Sequence, residues 1–194
     1  MKLNNKRTIL VGLAFLSICA FWQMYDSVVP LILTKTFHMN ETFSGTIMAA
    51  DNILALFLLP FFGSLSDRSH SKIGKRMPFI LFGTGCAVIL MNILPLLDNS
   101  YAAQPSGLKT ASFVIVLGLL LVAMGTYRSP AVALMPDVTP KPLRSRANAI
   151  INLMGAVGGI LYLGVAAVLY PNSKTAGLDH VNYQPLFIVV SAIM

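Results

Sequence analysis

The chain has 194 residues, of which 56% are hydrophobic and only 11% charged, with a mean hydropathy of +0.73. A soluble domain carries about a quarter charged residues, so a surface solvated on every side is excluded. The net charge of +7 sits in short clusters between apolar blocks and not along one face, which excludes the electrostatic footprint of a nucleic-acid binder.

The apolar blocks are long enough to cross a bilayer, at about 20 residues per helix, and the chain reads as an all-α polytopic membrane bundle. The basic start, Met1 to Arg7, resembles a signal peptide only superficially. The apolar run after it exceeds the roughly 7–15 residues of such a leader, and no small-residue cleavage site follows, so it is read as an uncleaved first span. Spans are expected at about 8–34, 44–66, 77–97, 110–135 and 147–170, with a sixth begun at 184–194 and incomplete. All of 1–194 is then one amino-terminal transmembrane domain, and a carboxy-terminal half is expected to be missing.

The connections carry the orientation. Lys2, Lys6, Arg7, Arg68, Lys72, Lys75, Arg76, Lys141, Arg144 and Arg146 fall on one side, against Lys35, Lys109 and Lys174 on the other. That bias places the amino terminus in the cytoplasm and the loops 98–109 and 171–183 outside. Pro30, Pro60, Pro95, Pro130 and Pro136 are expected to bend spans without breaking them. Gly155 and Gly159 in the fifth span make a small-xxx-small spacing that lets another helix approach, although glycine is common in membrane helices anyway. Cys19 and Cys86 lie inside apolar blocks and read as small buried hydrophobes. No repeat of 20–50 residues is evident.

The second connection carries Gly63, Asp67 and Arg68, then Gly74, Lys75 and Arg76. Gly63 permits close helix approach, Asp67 can pair or cap at a helix end, and the basic residues can form charge pairs at a cytoplasmic gate. This pattern resembles the signature loop of the major facilitator superfamily. The longer run SDRSHSKIGKRMPFI, Ser66 to Ile80, is similar to the variant in glycoside–pentoside–hexuronide cation symporters and the related sucrose transporters. A second stretch agrees: Arg128, Ser129, Pro130, then Ala133, Leu134, Pro136, Asp137, Arg144 and Ala147 to Ala149. In plant sucrose transporters an arginine follows the Pro-Ala pair, whereas here Val132 stands there and Arg128 lies four residues earlier.

The resemblance implies the amino-terminal six-helix half of a major facilitator fold, with the sixth helix truncated, in the cell membrane. It further implies a secondary transporter, and no enzyme, that couples a proton or sodium ion to sugar or glycoside symport by alternating access. The partners it implies are the lipid bilayer, a small-molecule substrate, a coupling cation and the missing half. The alternative reading is a non-transporting membrane protein or an inert remnant.

Three ionisable residues fall inside spans: Asp26, Asp51 and Arg128. Such residues are functional candidates by default. At about 1.5 Å rise per residue, Asp26 and Asp51 each lie roughly 10 Å from the outer face, where they can share a cavity. Two neighbouring carboxylates do not both ionise cheaply, so one can carry the proton that cation coupling needs. Arg128 lies about 10 Å from the inner face on the same arithmetic, and either snorkels to the interface or takes an ion-pair or substrate role. Asp26 can equally be wet because it nears a helix end. For sugar binding, Trp22, Gln23, Tyr25 and Asn52 supply flat apolar and hydrogen-bonding groups, with Tyr127 and Asn152 adding to the wall. Trp22 and Asp26 share a helix face. His38, His70 and His180 read as surface residues in connections. No metal spacing or phosphate cradle is present, so no cofactor is expected. Asn40-Glu41-Thr42 is a glycosylation sequon on the expected outer side.

Overall fold

A computed structural model describes residues 5–175 and 177–194. Backbone polar groups in hydrocarbon must bond within their own segment, and long apolar segments meet that demand as helices. The described residues are accordingly helical with no strand: α1 (Asn5–Leu31), α2 (Glu41–Arg68), α3 (Met77–Ala103), α4 (Gly107–Val138), α5 (Arg144–Leu169), the single turn α6 (Asn172–Thr175) and α7 (Gln184–Ile193). Five of these are long and apolar enough to cross a membrane, and α7 has ten residues.

The helix ends follow local chemistry. Asn40 caps α2 by accepting from Thr42 N–H at 3.2 Å, with Glu41 in the first turn to complement the helix dipole. The carbonyls at the end of α4 are met by Arg144, whose guanidinium donates to Pro136 O at 2.8 Å and Thr139 O at 3.3 Å. Pro30 lies inside α1, and just beyond it the helix widens into a π-helical turn, Ile32–Thr36, closed by Phe37 N–H to Ile32 O at 3.1 Å. Helix α3 does not end at Leu97 as expected but continues to Ala103, which places Asp98 in a helix and not in a loop.

Helix α1 is the centre of the bundle and packs on α5 and α4, while α3 packs on α4 and α7. The core is built from Phe21, Met24, Val28 and Ile32 of α1 and its extension, Met91 and Leu94 of α3, Leu117 and Met124 of α4, and Phe187 of α7. The α1–α5 contact is the closest crossing. A Cβ on Gly158 would overlap the Leu16 carbonyl, and one on Gly155 would meet Cys19 Sγ at 2.9 Å. Gly159, the other half of the expected small-xxx-small pair, has only Gln23 Oε1 nearby at 3.8 Å. The contact therefore runs through Gly155 and Gly158. Helix α2 lies at the edge, with Phe43, Ile53, Leu56, Phe57 and Phe61 exposed; Leu153, Ile160 and Val168 of α5 are exposed as well.

Candidate functional site

Helices α1, α4 and α5 line an open cleft of roughly 450 Å3, bordered by Ile18, Trp22, Gln23, Asp26, Arg128 and Asn152 among others. That volume lies in the range of about 300–1,000 Å3 that holds a small organic ligand. The polar groups converge from three helices, while Phe15, Ile18 and Val132 supply apolar wall. Arg128 is the pivot. Its guanidinium carbon sits 5.3 Å from the centre of the Trp22 ring, a cation–π arrangement that offsets part of the cost of a charge at this depth. No carboxylate lies within ion-pairing distance of it among the described residues. On its other side, Trp22 and Arg128 border a narrow void of about 20 Å3 closed by Asp51, Leu58 and Gly125. The same ring and guanidinium thus stand between the cavity that Asp26 lines and the void that Asp51 borders.

Arg128 meets the Trp22 ring and neither aspartate within ion-pairing distance, although it shares lining with both of them. Trp22 keeps its indole N–H buried and without a hydrogen-bond partner among the described residues. Asn52 is exposed on α2 and donates to Asp51 Oδ1 at 2.8 Å, which orients that carboxylate. Asn52 therefore does not line the cavity, and two further expected wall residues lie elsewhere. Tyr25 is in the core, 1% exposed, packed on Phe21 and Trp22. Tyr127 faces the opposite side of α4, where its hydroxyl pairs with Ser17 Oγ at 2.7 Å and donates to Ala14 O at 3.2 Å. It braces α1 against α4 and does not reach the Trp22 cavity.

The expected gate residues gather at the ends of α2, α3 and α4. Arg76 is nearly buried and acts as the hub. Its Nη2 is 2.7 Å from Asp67 Oδ1, its Nε donates to Asp137 Oδ2 at 2.6 Å, and its Nη1 donates to Ser66 Oγ at 3.2 Å. Lys75 stands 3.7 Å from both Asp67 and Asp137. Gly74 turns the chain at φ +109°, a conformation that favours glycine, and so returns Lys75 and Arg76 to the helix ends. At Gly63 a Cβ would meet Ser129 Oγ at 3.1 Å, and that hydroxyl donates to Leu59 O at 2.7 Å. Arg68 is exposed and forms no ion pair among the described residues. Asp137 is the member of this charge cluster that the sequence-based expectation did not include. Its signal was an acid at the end of the fourth span, on the same side as the basic cluster.

The profile described as Major Facilitator Superfamily matches residues 11–194. Among curated relatives, Sucrose transport protein SUC3 of Arabidopsis thaliana is 35% identical over 145 residues, 69% of this chain and 24% of the relative. Sucrose transport protein SUT3 of Oryza sativa subsp. indica is 33% identical over 141 residues, 66% of this chain and 28% of the relative. Alpha-ketoglutarate permease of Escherichia coli (strain K12) is 26% identical over 179 residues, 91% of this chain and 38% of the relative. The chain thus spans about a quarter of the length of these sucrose transport proteins. No solved structure matches.

Proposed function

From the premise that this chain belongs to the Major Facilitator Superfamily, we propose that it supplies the amino-terminal part of a secondary transporter that couples sugar or glycoside symport to a proton or sodium ion. The observation that carries the reading is the cavity between α1, α4 and α5, where an aromatic face, two amide side chains, a carboxylate and a guanidinium converge. Trp22 offers a surface for a pyranose ring, and Gln23 and Asn152 offer hydrogen bonds to its hydroxyls. Asp26 and Asp51 carry the coupling cation on either side of the Trp22–Arg128 stack, with Asn52 holding Asp51 in place. The names of the sucrose transport relatives support the substrate class.

The basic clusters support an amino terminus in the cytoplasm and a cell-membrane setting, so the Arg76 cluster closes the cytoplasmic end. The exposed apolar residues of α2 and α5 support a second helical bundle that covers them and completes an alternating-access pathway around a midplane site. The test is uptake of labelled disaccharide into proteoliposomes containing the chain with any continuation of its reading frame. Accumulation under an imposed proton or sodium gradient is the expected result, and no accumulation under either would overturn it. A second reading, a carboxylate-bearing substrate, is favoured by Arg128, which has no acidic partner among the described residues, and by the permease relative. Competition of uptake by a 2-oxo dicarboxylate in place of the sugar would select it.

A further inference from the structure

At the end of the bundle opposite the Arg76 cluster, Asp98 of α3 is wholly buried, and neither carboxylate oxygen receives a well-formed hydrogen bond among the described residues. A bare carboxylate in such surroundings is costly unless it is paired or neutralised. The facing group is His180 in the segment before α7, whose Nδ1 stands 3.8 Å from Asp98 Oδ2. The imidazole is held from two sides. Nδ1 is 3.2 Å from the Thr36 hydroxyl, at the end of the π-helical turn, and Nε2 is 2.9 Å from Asn99 Oδ1. Asn99 donates its own amide to Asn182 Oδ1 at 3.0 Å, so its oxygen faces the ring and Nε2 carries the hydrogen.

That tautomer fixes what a proton does. In the neutral ring Nδ1 has only a lone pair, which accepts from Thr36 and offers Asp98 nothing. A proton placed on Nδ1 gives an imidazolium that donates towards Asp98, and it releases the Thr36 hydroxyl to turn to the carboxylate beside it. A proton placed on Asp98 removes the buried charge directly. With one proton the cluster is satisfied; without it a carboxylate faces a lone pair. We propose that Asp98 and His180 bind one proton between them, and that this proton clasps the segment before α7 to the end of α3.

The remaining titratable groups on this side do not replace that proton. Tyr183, just before α7, is neutral and packs its ring on Tyr170 at 5.2 Å, and Thr36 contributes only a hydroxyl from the α1 side. Lys109 of α4 is engaged with Ser100 O and Gln104 O at 2.8 and 2.9 Å, and no lysine or arginine lies within ion-pairing distance of Asp98 among the described residues. The segment's other bonds are internal or to α5 and α7: Tyr170 donates to Asn182 O at 2.7 Å, and Gln184 N–H donates to Asn182 Oδ1 at 3.0 Å. Its hold on α3 therefore runs through Asp98 and Asn99. The Asp98 part of that hold is closed on the acid side and is lost as pH rises, which leaves the two Asn99 bonds to carry the segment alone. On the orientation proposed above, the proton comes from the outer medium.

Amide hydrogen exchange of residues 177–183, in the whole chain in lipid nanodiscs and corrected for the intrinsic pH dependence of exchange, tests this. Across the range in which a histidine–carboxylate pair titrates, protection falls by about tenfold or more as pH rises. In Asp98→Asn, whose amide needs no proton, protection does not change with pH. His180→Gln, at a partly exposed position, places a permanent amide donor beside Asp98 and asks the same question should the buried substitution prevent folding; its slope is smaller than that of the wild type. A flat wild-type profile, or a variant that keeps the wild-type slope, overturns the proposal. The readout does not involve transport, so its failure is distinguishable from failure of the symport reading.

Discussion

A guanidinium inside a membrane-spanning helix needs some partner to offset its desolvation, and at Arg128 that partner is the Trp22 ring at 5.3 Å. A lysine ammonium can also lie against an aromatic ring, but it does not reproduce the planar guanidinium and its fork of donors. Arg128→Lys should therefore raise the half-saturation concentration for substrate by roughly 10-fold or more, the scale of one charge-assisted hydrogen bond, as read from initial uptake rates. Trp22 gives a complementary test, because its buried N–H lacks a partner. Trp22→Phe removes an unsatisfied donor, so thermal stability should hold or rise while affinity falls if that N–H serves a ligand. Affinity that is unchanged with raised stability would make Trp22 a packing residue. Asp51→Asn should abolish gradient-driven accumulation but leave exchange of substrate down its own gradient. Retained driven uptake would remove Asp51 from the coupling role.

The residues of this site were only partly legible in the sequence, for a geometric reason. Helices that are apolar nearly all round give no rotational phase, so the face to which Tyr25 or Tyr127 belongs is not written in the hydropathy pattern. Trp22, Gln23, Asp26, Arg128 and Asn152 nonetheless converge on one cavity. Polar groups at spacings that share a helix face have few places to go in a lipid-facing bundle. His180 read as a surface residue because nothing in the primary sequence pairs it with Asp98, 82 positions earlier by residue number.

At the level of elements, the α1–α5 crossing and the Arg76 cluster are the two joints that define the bundle. Gly158→Ala puts a Cβ against the Leu16 backbone and should destabilise by about 1–3 kcal/mol, the usual range for overpacking. Gly164→Ala on the same helix meets open space and should be neutral or slightly stabilising through helix propensity. Melting of both variants in nanodiscs separates the two effects. Asp137→Asn should lower stability by about 1 kcal/mol, since the carboxylate is one-third exposed and its ion pair is partly screened. These joints show why element existence was easier to read than element contact. Span length is a one-dimensional signal set by bilayer thickness. Where a helix stops is a matter of caps, and α3 runs on through Ala103 although its last turns are polar. Which glycine meets which backbone depends on the crossing angle, so Gly158 and not Gly159 carries the contact.

On the scale of the whole molecule, the exposed Phe43, Ile53, Leu56, Phe57 and Phe61 of α2 and Ile160 and Val168 of α5 form apolar surfaces that water does not tolerate as large patches. The isolated chain is therefore expected to self-associate in mild detergent and to become monodisperse only where lipid or a second bundle covers these faces. A sharply melting, monodisperse detergent preparation would contradict that. The Arg76 cluster bears on how the molecule is built as well as how it works. Arg76 meets Asp67 at the end of α2, just across the connection, but bonds to Asp137 at a separation of 61 residues. During synthesis the first partner is present as soon as the connection forms, while the second arrives only after α3 and α4 have both been delivered to the bilayer. Until then the guanidinium has half of its acidic complement and the ends of α2 and α3 are not tied to α4. The same residue that holds the helix ends together thus orders assembly, because the ends of the second and third spans are tied to the fourth only once the fourth is in place.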